Sequence, residues 1–144
     1  MLVYLTAALA TSGRLAPPVL AGAGCLLAYL IGLTYVAKHE NKPLVARTWP
    51  LVGLAAPVVY VFAGVTTAAS VLAAALAVWI VRAVLLLRSN APRRIPRAVT
   101  SMIAGISLVD AALLARAGAS VTIVALVAAG WLLTLLFQRY VPGT

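Results

Sequence analysis

Hydrophobic residues fill most of the chain in long runs, and short segments with Pro, Gly, Lys and Arg separate the runs. The runs are rich in Ala, Leu and Val and do not alternate with polar residues, so they predict helices and not the strands of a barrel. Pro and Gly in the separating segments are typical of helix starts and stops. We therefore predict six helical segments, at 1–11, 18–37, 48–64, 68–88, 98–117 and 119–138.

The lengths of these segments decide which of them can cross a membrane. A spanning helix needs about 20 apolar residues, whereas segment 1–11 covers roughly 16 Å, about half of the hydrocarbon thickness. Segment 48–64 is short and contains Pro57, so it is expected to tilt or to begin as a re-entrant element. The predicted fold is an all-α polytopic transmembrane bundle, one domain over residues 1–144, with five full spans and a partial N-terminal helix.

One predicted helix carries small residues at a spacing of four. Gly24, Ala28 and Gly32 lie on one face of segment 18–37. Such a face lets a second helix approach closely. The pattern is common in membrane helices, and it indicates helix packing rather than a binding site.

Composition excludes a water-soluble domain. The 144 residues are 65% hydrophobic and 9% charged, whereas soluble domains are about half apolar and a quarter charged. The net charge of +9 would suggest nucleic acid in a soluble protein. In a membrane protein it indicates orientation and contact with anionic head groups instead, so no nucleic-acid partner is expected.

The positive charges predict the orientation. Eight of them fall on one side of six alternating segments and two on the other, which assigns the first group to the cytoplasm. Loops 38–48 and 88–97 are then cytoplasmic, in what we expect to be a bacterial inner membrane. Trp49 and Tyr140 lie at the same interface, as aromatic belt residues do. The eight are Lys38, Lys42, Arg47, Arg88, Arg93, Arg94, Arg97 and Arg139, and the two are Arg14 and Arg116.

The loop after the second segment concentrates polar groups. It contains the single His, His39, and one of the two carboxylates, Glu40, between Lys38 and Lys42. Lysines could bind an anion there, and Glu40 could hold a Mg²⁺ that bridges phosphate oxygens. The alternative is a solvated basic loop with an incidental acid. Because Cys25 is also single, the common Cys and His metal clusters are excluded within one chain.

Asp110 lies near the middle of a predicted span. A carboxylate at that depth is costly unless it is paired, protonated or exposed to a wet cavity, and it marks a functional site by default. Arg82 on the preceding segment is the nearest internal cation, about 10 Å away in depth by residue count. The alternative is a protonated Asp110 that bonds to Ser107 or Thr122.

Several stretches together resemble the UbiA superfamily of membrane prenyltransferases, in its UbiA-like branch. The resemblance covers most of the chain and would correspond to the C-terminal half of a family member. The stretches are Tyr29-Leu-Ile-Gly-Leu-Thr-Tyr-Val-Ala-Lys-His-Glu40, Trp49-Pro50, Arg97-Ala98-Val99, Ile106-Ser-Leu-Val-Asp-Ala-Ala-Leu-Leu114 and Gln138-Arg-Tyr-Val-Pro-Gly-Thr144.

The resemblance implies transfer of an isoprenoid group from its diphosphate to an acceptor. Family members have about nine helices in two halves, and each half supplies an aspartate-rich motif for Mg²⁺ and the diphosphate. Here the corresponding stretch keeps Glu40 as its one carboxylate, and the other motif would belong to a missing N-terminal half or a second subunit. The isolated chain is therefore expected to be inactive. The residues implied around the diphosphate are Lys38, Lys42, Arg93, Arg94 and Arg97.

A second function class fits the same composition. A small helical transporter or membrane assembly subunit would use Asp110 as its intramembrane site. Half-sized bundles of this kind work in pairs.

Overall fold

A computed structural model describes residues 5–6, 9–10, 13, 16–38, 49–64, 67–88 and 95–140. These residues form helices and turns without strands, as predicted. Leu5, Thr6, Leu9 and Ala10 are helical, in agreement with a partial N-terminal helix. The five longer helices are α1 (Pro17–Lys38), α2 (Trp49–Phe62), α3 (Thr67–Arg88), α4 (Ile95–Arg116) and α5 (Val121–Tyr140).

The structure corrects the predicted count of five full spans. Helices α1, α3, α4 and α5 are long and apolar enough to cross a membrane, which makes the chain an integral membrane protein. Helix α2 has 14 residues, about 21 Å at 1.5 Å per residue, too short for a hydrocarbon core of about 30 Å. It ends at Phe62 and not at residue 64, because the chain turns at Ala63 and Gly64.

Contacts between neighbouring helices fix their directions. Tyr29 of α1 bonds to Met102 of α4, and Gly22 lies beside Leu113, so these two helices are antiparallel. Helices α3 and α5 also pack on α4, since Trp79 of α3 bonds to Ser101 and Gln138 of α5 bonds to Thr100. Each is joined to α4 by only a few residues, so each is antiparallel to α4. Helix α4 is the central element: 56% of its span is buried, against 6% for α5.

The bundle therefore has two ends. The basic end carries the helix ends at Lys38, Trp49, Arg88, Ile95 and Tyr140. The Arg116 end carries those at Pro17, Phe62, Thr67, Arg116 and Val121.

A tight turn at the Arg116 end joins α4 to α5. Gly118 has a φ of 79°, in the left-handed region that glycine adopts without strain. The Ala119 amide donates to Leu114 O at 3.0 Å and the Gly118 amide to Ala115 O at 3.2 Å, which satisfies the last carbonyls of α4. Ser120 then caps the start of α5, since its hydroxyl and carbonyl accept from the Ile123 and Val124 amides.

Candidate functional site

Two of the predicted diphosphate-binding residues lie at the same end of the bundle, the basic end. Lys38 is the last residue of α1, and Arg97 is in the first turn of α4. Counted from the Tyr29–Met102 hydrogen bond, their backbones are within about one helical turn of the same level. Both side chains are exposed. The basic segments that connect α1 to α2 and α3 to α4 start and finish at this end.

Other predicted site residues lie outside the described part of the chain. These are the predicted Mg²⁺ contact and the remaining diphosphate contacts, so the predictions for them stay predictions. They are Glu40, Lys42, Arg93 and Arg94.

An aromatic pair lies beside Lys38 at the basic end. The rings of Tyr35 and Trp49 meet edge to face, with centroids 4.3 Å apart. Trp49 is 42% exposed, which suits an amphipathic ring at a membrane interface. The pair holds the start of α2 against the end of α1, on either side of the predicted loop site.

Three side chains from three helices donate hydrogen bonds to consecutive carbonyls of α4. The Gln138 amide donates to Thr100 O at 3.0 Å, the Trp79 indole to Ser101 O at 2.7 Å, and the Tyr29 hydroxyl to Met102 O at 2.8 Å. Within α4, the Ser101 hydroxyl donates to Arg97 O at 2.7 Å. We call this group the carbonyl clamp. It fixes the turn of α4 directly below Arg97.

Gly105 makes the carbonyl clamp possible. A Cβ at this position would lie 2.6 Å from the Tyr29 hydroxyl oxygen and 3.3 Å from Trp79 Cδ1. Sequence reasoning did not find the clamp. The available signal was a Tyr and a Trp inside apolar helices, because their polar atoms need partners away from water.

The structure does not bring Asp110 and Arg82 together. Trp79 packs beside Gly105, so Arg82 lies toward the basic end and Asp110 toward the Arg116 end, about 12 Å apart along the axis by residue count. Arg82 is exposed, and its guanidinium carbon lies 5.3 Å from the Trp79 ring centroid. Asp110 is half-buried and has an interaction partner. Thr122, one proposed partner, is exposed. The transporter or assembly function that rests on Asp110 stays a prediction.

The described residues do not fit a Mg²⁺ site at the basic end. No group of three or more His, Cys, Asp or Glu side chains converges among them. Asp110 is 13 residues from Arg97 on the same helix, about 20 Å along its axis. A carboxylate at that distance cannot share a metal-bound diphosphate with Arg97.

Comparison with models of protein families, with curated proteins and with solved structures found no match to this chain.

Proposed function

We propose that this chain is the diphosphate-binding part of a UbiA-like prenyltransferase in a bacterial inner membrane, with its basic end at the cytoplasmic surface. The proposal is supported by two exposed cations, Lys38 and Arg97, at the same end of the bundle and within about one helical turn in level. Guanidinium and ammonium groups at an interface suit a diphosphate whose isoprenoid chain extends along apolar helix surfaces.

In the proposed reaction, the C1–O bond of the prenyl diphosphate breaks and the diphosphate leaves with the bonding electrons. A nucleophilic atom of the acceptor bonds to C1 and loses a proton. Lys38 and Arg97 would bind the diphosphate and stabilise the charge that develops on it. The resemblance implies that Mg²⁺ held by carboxylates would assist this departure, with Glu40 as the contact from this chain. Because the sequence has only one other carboxylate, Asp110, the remaining acidic ligands would come from a partner half or subunit.

The first prediction concerns binding. In nanodiscs of neutral lipid, the wild-type chain should bind radiolabelled geranylgeranyl diphosphate saturably. The double variant Lys38→Gln/Arg97→Gln should bind at least about tenfold more weakly, because each lost charged hydrogen bond is worth roughly 1.5–3 kcal/mol. Unlabelled geranylgeraniol, which lacks the diphosphate, should compete poorly.

The control is Arg82→Gln, which removes a cation that stacks on Trp79 within the apolar span of α3. It should bind like the wild type. Equal affinity of Lys38→Gln/Arg97→Gln and wild type would contradict the proposal, and so would a loss confined to the control variant. No prenyl transfer is expected from the isolated chain in either case.

A further inference from the structure

A cavity of about 290 Å³ opens at the Arg116 end of the bundle, opposite the proposed diphosphate site. Pro18 and Gly22 of α1 form one wall, and Tyr60 and Gly64 form the second. Leu113 and Arg116 of α4 complete it. The volume is near the lower bound of small-molecule sites, which run from roughly 300 to 1,000 Å³.

Arg116 supplies the positive charge of this cavity. Its guanidinium carbon lies 4.2 Å from the centroid of the Tyr60 ring, so the aromatic face covers one side of the group. Nη1 is buried and has no hydrogen-bond partner among the described residues. A buried guanidinium donor without an acceptor is costly, because water no longer satisfies it.

Gly64 leaves space for the guanidinium. A Cβ at Gly64 would overlap Arg116 Nη1 and lie 2.9 Å from Cζ. Among the described glycines, Gly13 and Gly118 have a positive φ, and Gly64 does not. The missing side chain at position 64 therefore serves the placement of Arg116 and not a backbone conformation.

None of the described residues that line this cavity carries a carboxylate. Asp110 precedes Arg116 by six residues on α4, about 9 Å along the axis, and does not line the cavity. Among the described residues, Nη1 of Arg116 has no acceptor, which leaves this donor for a ligand.

We propose that this cavity is a second anion site, which binds a phosphate group through Arg116 while Leu113 and Pro18 contact an apolar portion of the ligand. A planar guanidinium binds a phosphate through two parallel hydrogen bonds, and an apolar lining favours a phosphate attached to a lipid-like body. Arg116 is 19 residues from Arg97 on α4, about 29 Å, so the two sites lie at opposite interfaces of a hydrocarbon core of about 30 Å.

Two sources could supply the phosphate, a lipid head group or a free anion, and the probes distinguish them. We would titrate the 144-residue chain, in a neutral detergent, with dihexanoyl phosphatidate and separately with inorganic phosphate. Preferential binding of dihexanoyl phosphatidate would support the site with a lipid as its ligand. Equal binding of inorganic phosphate, with the same dependence on Arg116, would support it with a free anion.

Two variants test the residues. Arg116→Gln should weaken binding roughly 10- to 100-fold, the range expected for charge-assisted hydrogen bonds. Gly64→Ala keeps the charge but displaces the guanidinium, and should weaken binding at least about tenfold. The matched controls are Arg82→Gln, which removes an arginine that also stacks on an aromatic ring, and Gly24→Ala, where a Cβ meets nothing within 4 Å. Both controls should bind like the wild type.

Affinity for both probes that is the same in wild type, Arg116→Gln and Gly64→Ala would overturn the proposal. If Arg116→Gln is not recovered folded, Arg116→Lys keeps the charge without the fork and should also lose at least about tenfold, with Arg82→Lys as its control. Unchanged binding in Arg116→Lys would contradict the two parallel hydrogen bonds proposed between the guanidinium and the phosphate. These outcomes are independent of the first prediction, which changes the opposite end of the bundle.

Discussion

At the scale of single residues, the interior of this bundle is specified by a few polar atoms among apolar ones. Tyr29 is fully buried, and its hydroxyl bonds to a main-chain carbonyl 73 residues away in sequence. Gly105 supplies the space into which that hydroxyl fits. In hydrocarbon, a hydroxyl cannot hydrogen-bond to water, so it needs a partner within the protein. This contact therefore favours the helix register in which the hydroxyl reaches the carbonyl.

We predict that Tyr29 and Gly105 are energetically coupled. Tyr29→Phe removes one interhelical hydrogen bond and should destabilise the bundle by about 0.6–2 kcal/mol. Gly105→Ala should cost more, about 1–3 kcal/mol, because its Cβ would crowd the hydroxyl and Trp79. The double variant should cost less than the sum, because Phe lacks the hydroxyl oxygen that the new methyl would meet.

The measurement is a double-mutant cycle from unfolding in mixed micelles of mild and denaturing detergent. Gly24→Ala controls for the glycine-to-alanine change itself, since position 24 is exposed and open. Strictly additive costs would show that the Tyr29 hydroxyl and position 105 do not meet.

At the scale of elements, the short helix α2 is held by close contact with α1. A Cβ at Gly32 would lie 2.7 Å from Pro50 O, and one at Gly53 would lie 2.6 Å from Ala28 O. Two of the three small residues predicted on one face of this helix therefore pack against α2: Ala28 and Gly32 face it, whereas Gly24 is exposed. Since α2 is too short to span, this contact with α1 stabilises its position beside Tyr35 and Lys38.

Alanine substitutions should distinguish a glycine at this contact, Gly53, from an exposed glycine, Gly24. Gly53→Ala should destabilise the bundle by about 1–3 kcal/mol, because rigid main-chain atoms oppose the added methyl. Gly24→Ala should change stability by no more than about 0.5 kcal/mol. The check is the thermal midpoint of each purified variant in mild detergent. A Gly53→Ala variant as stable as Gly24→Ala would argue against the close α1–α2 contact.

Local patterns predicted the elements better than their contacts. Apolar runs and their Pro and Gly boundaries gave each of the five longer helices to within about three residues, because these signals are local. The span count was wrong by one, because the helix in segment 48–64 ends at Phe62 and has only 14 residues. The carbonyl clamp and the Arg116 cavity join residues that are far apart in sequence, so only helix register decides which of them meet.

At the scale of the whole molecule, the bundle has unequal ends. The antiparallel helices place Lys38 and Arg97 at one end, and the Arg116 cavity at the other. Most of the other Lys and Arg residues lie in the segments attached to the basic end. Such an imbalance orients membrane proteins, because loops rich in Lys and Arg stay in the cytoplasm. The proposed diphosphate site would then face cytosolic substrate, and the Arg116 site would face the other leaflet.

Topology tests this arrangement directly. In a Cys25→Ser background, a membrane-impermeant thiol reagent added to intact cells should miss cysteines placed at Asn41 and Asn90. It should label a cysteine at Ala117, which is exposed in the turn after α4 and avoids the positive φ of Gly118. Labelling after the cells are broken should reach all three positions, which controls for reactivity. Labelling of 41 and 90 in intact cells, with 117 protected, would reverse the orientation, and the basic end could then no longer receive a cytosolic diphosphate.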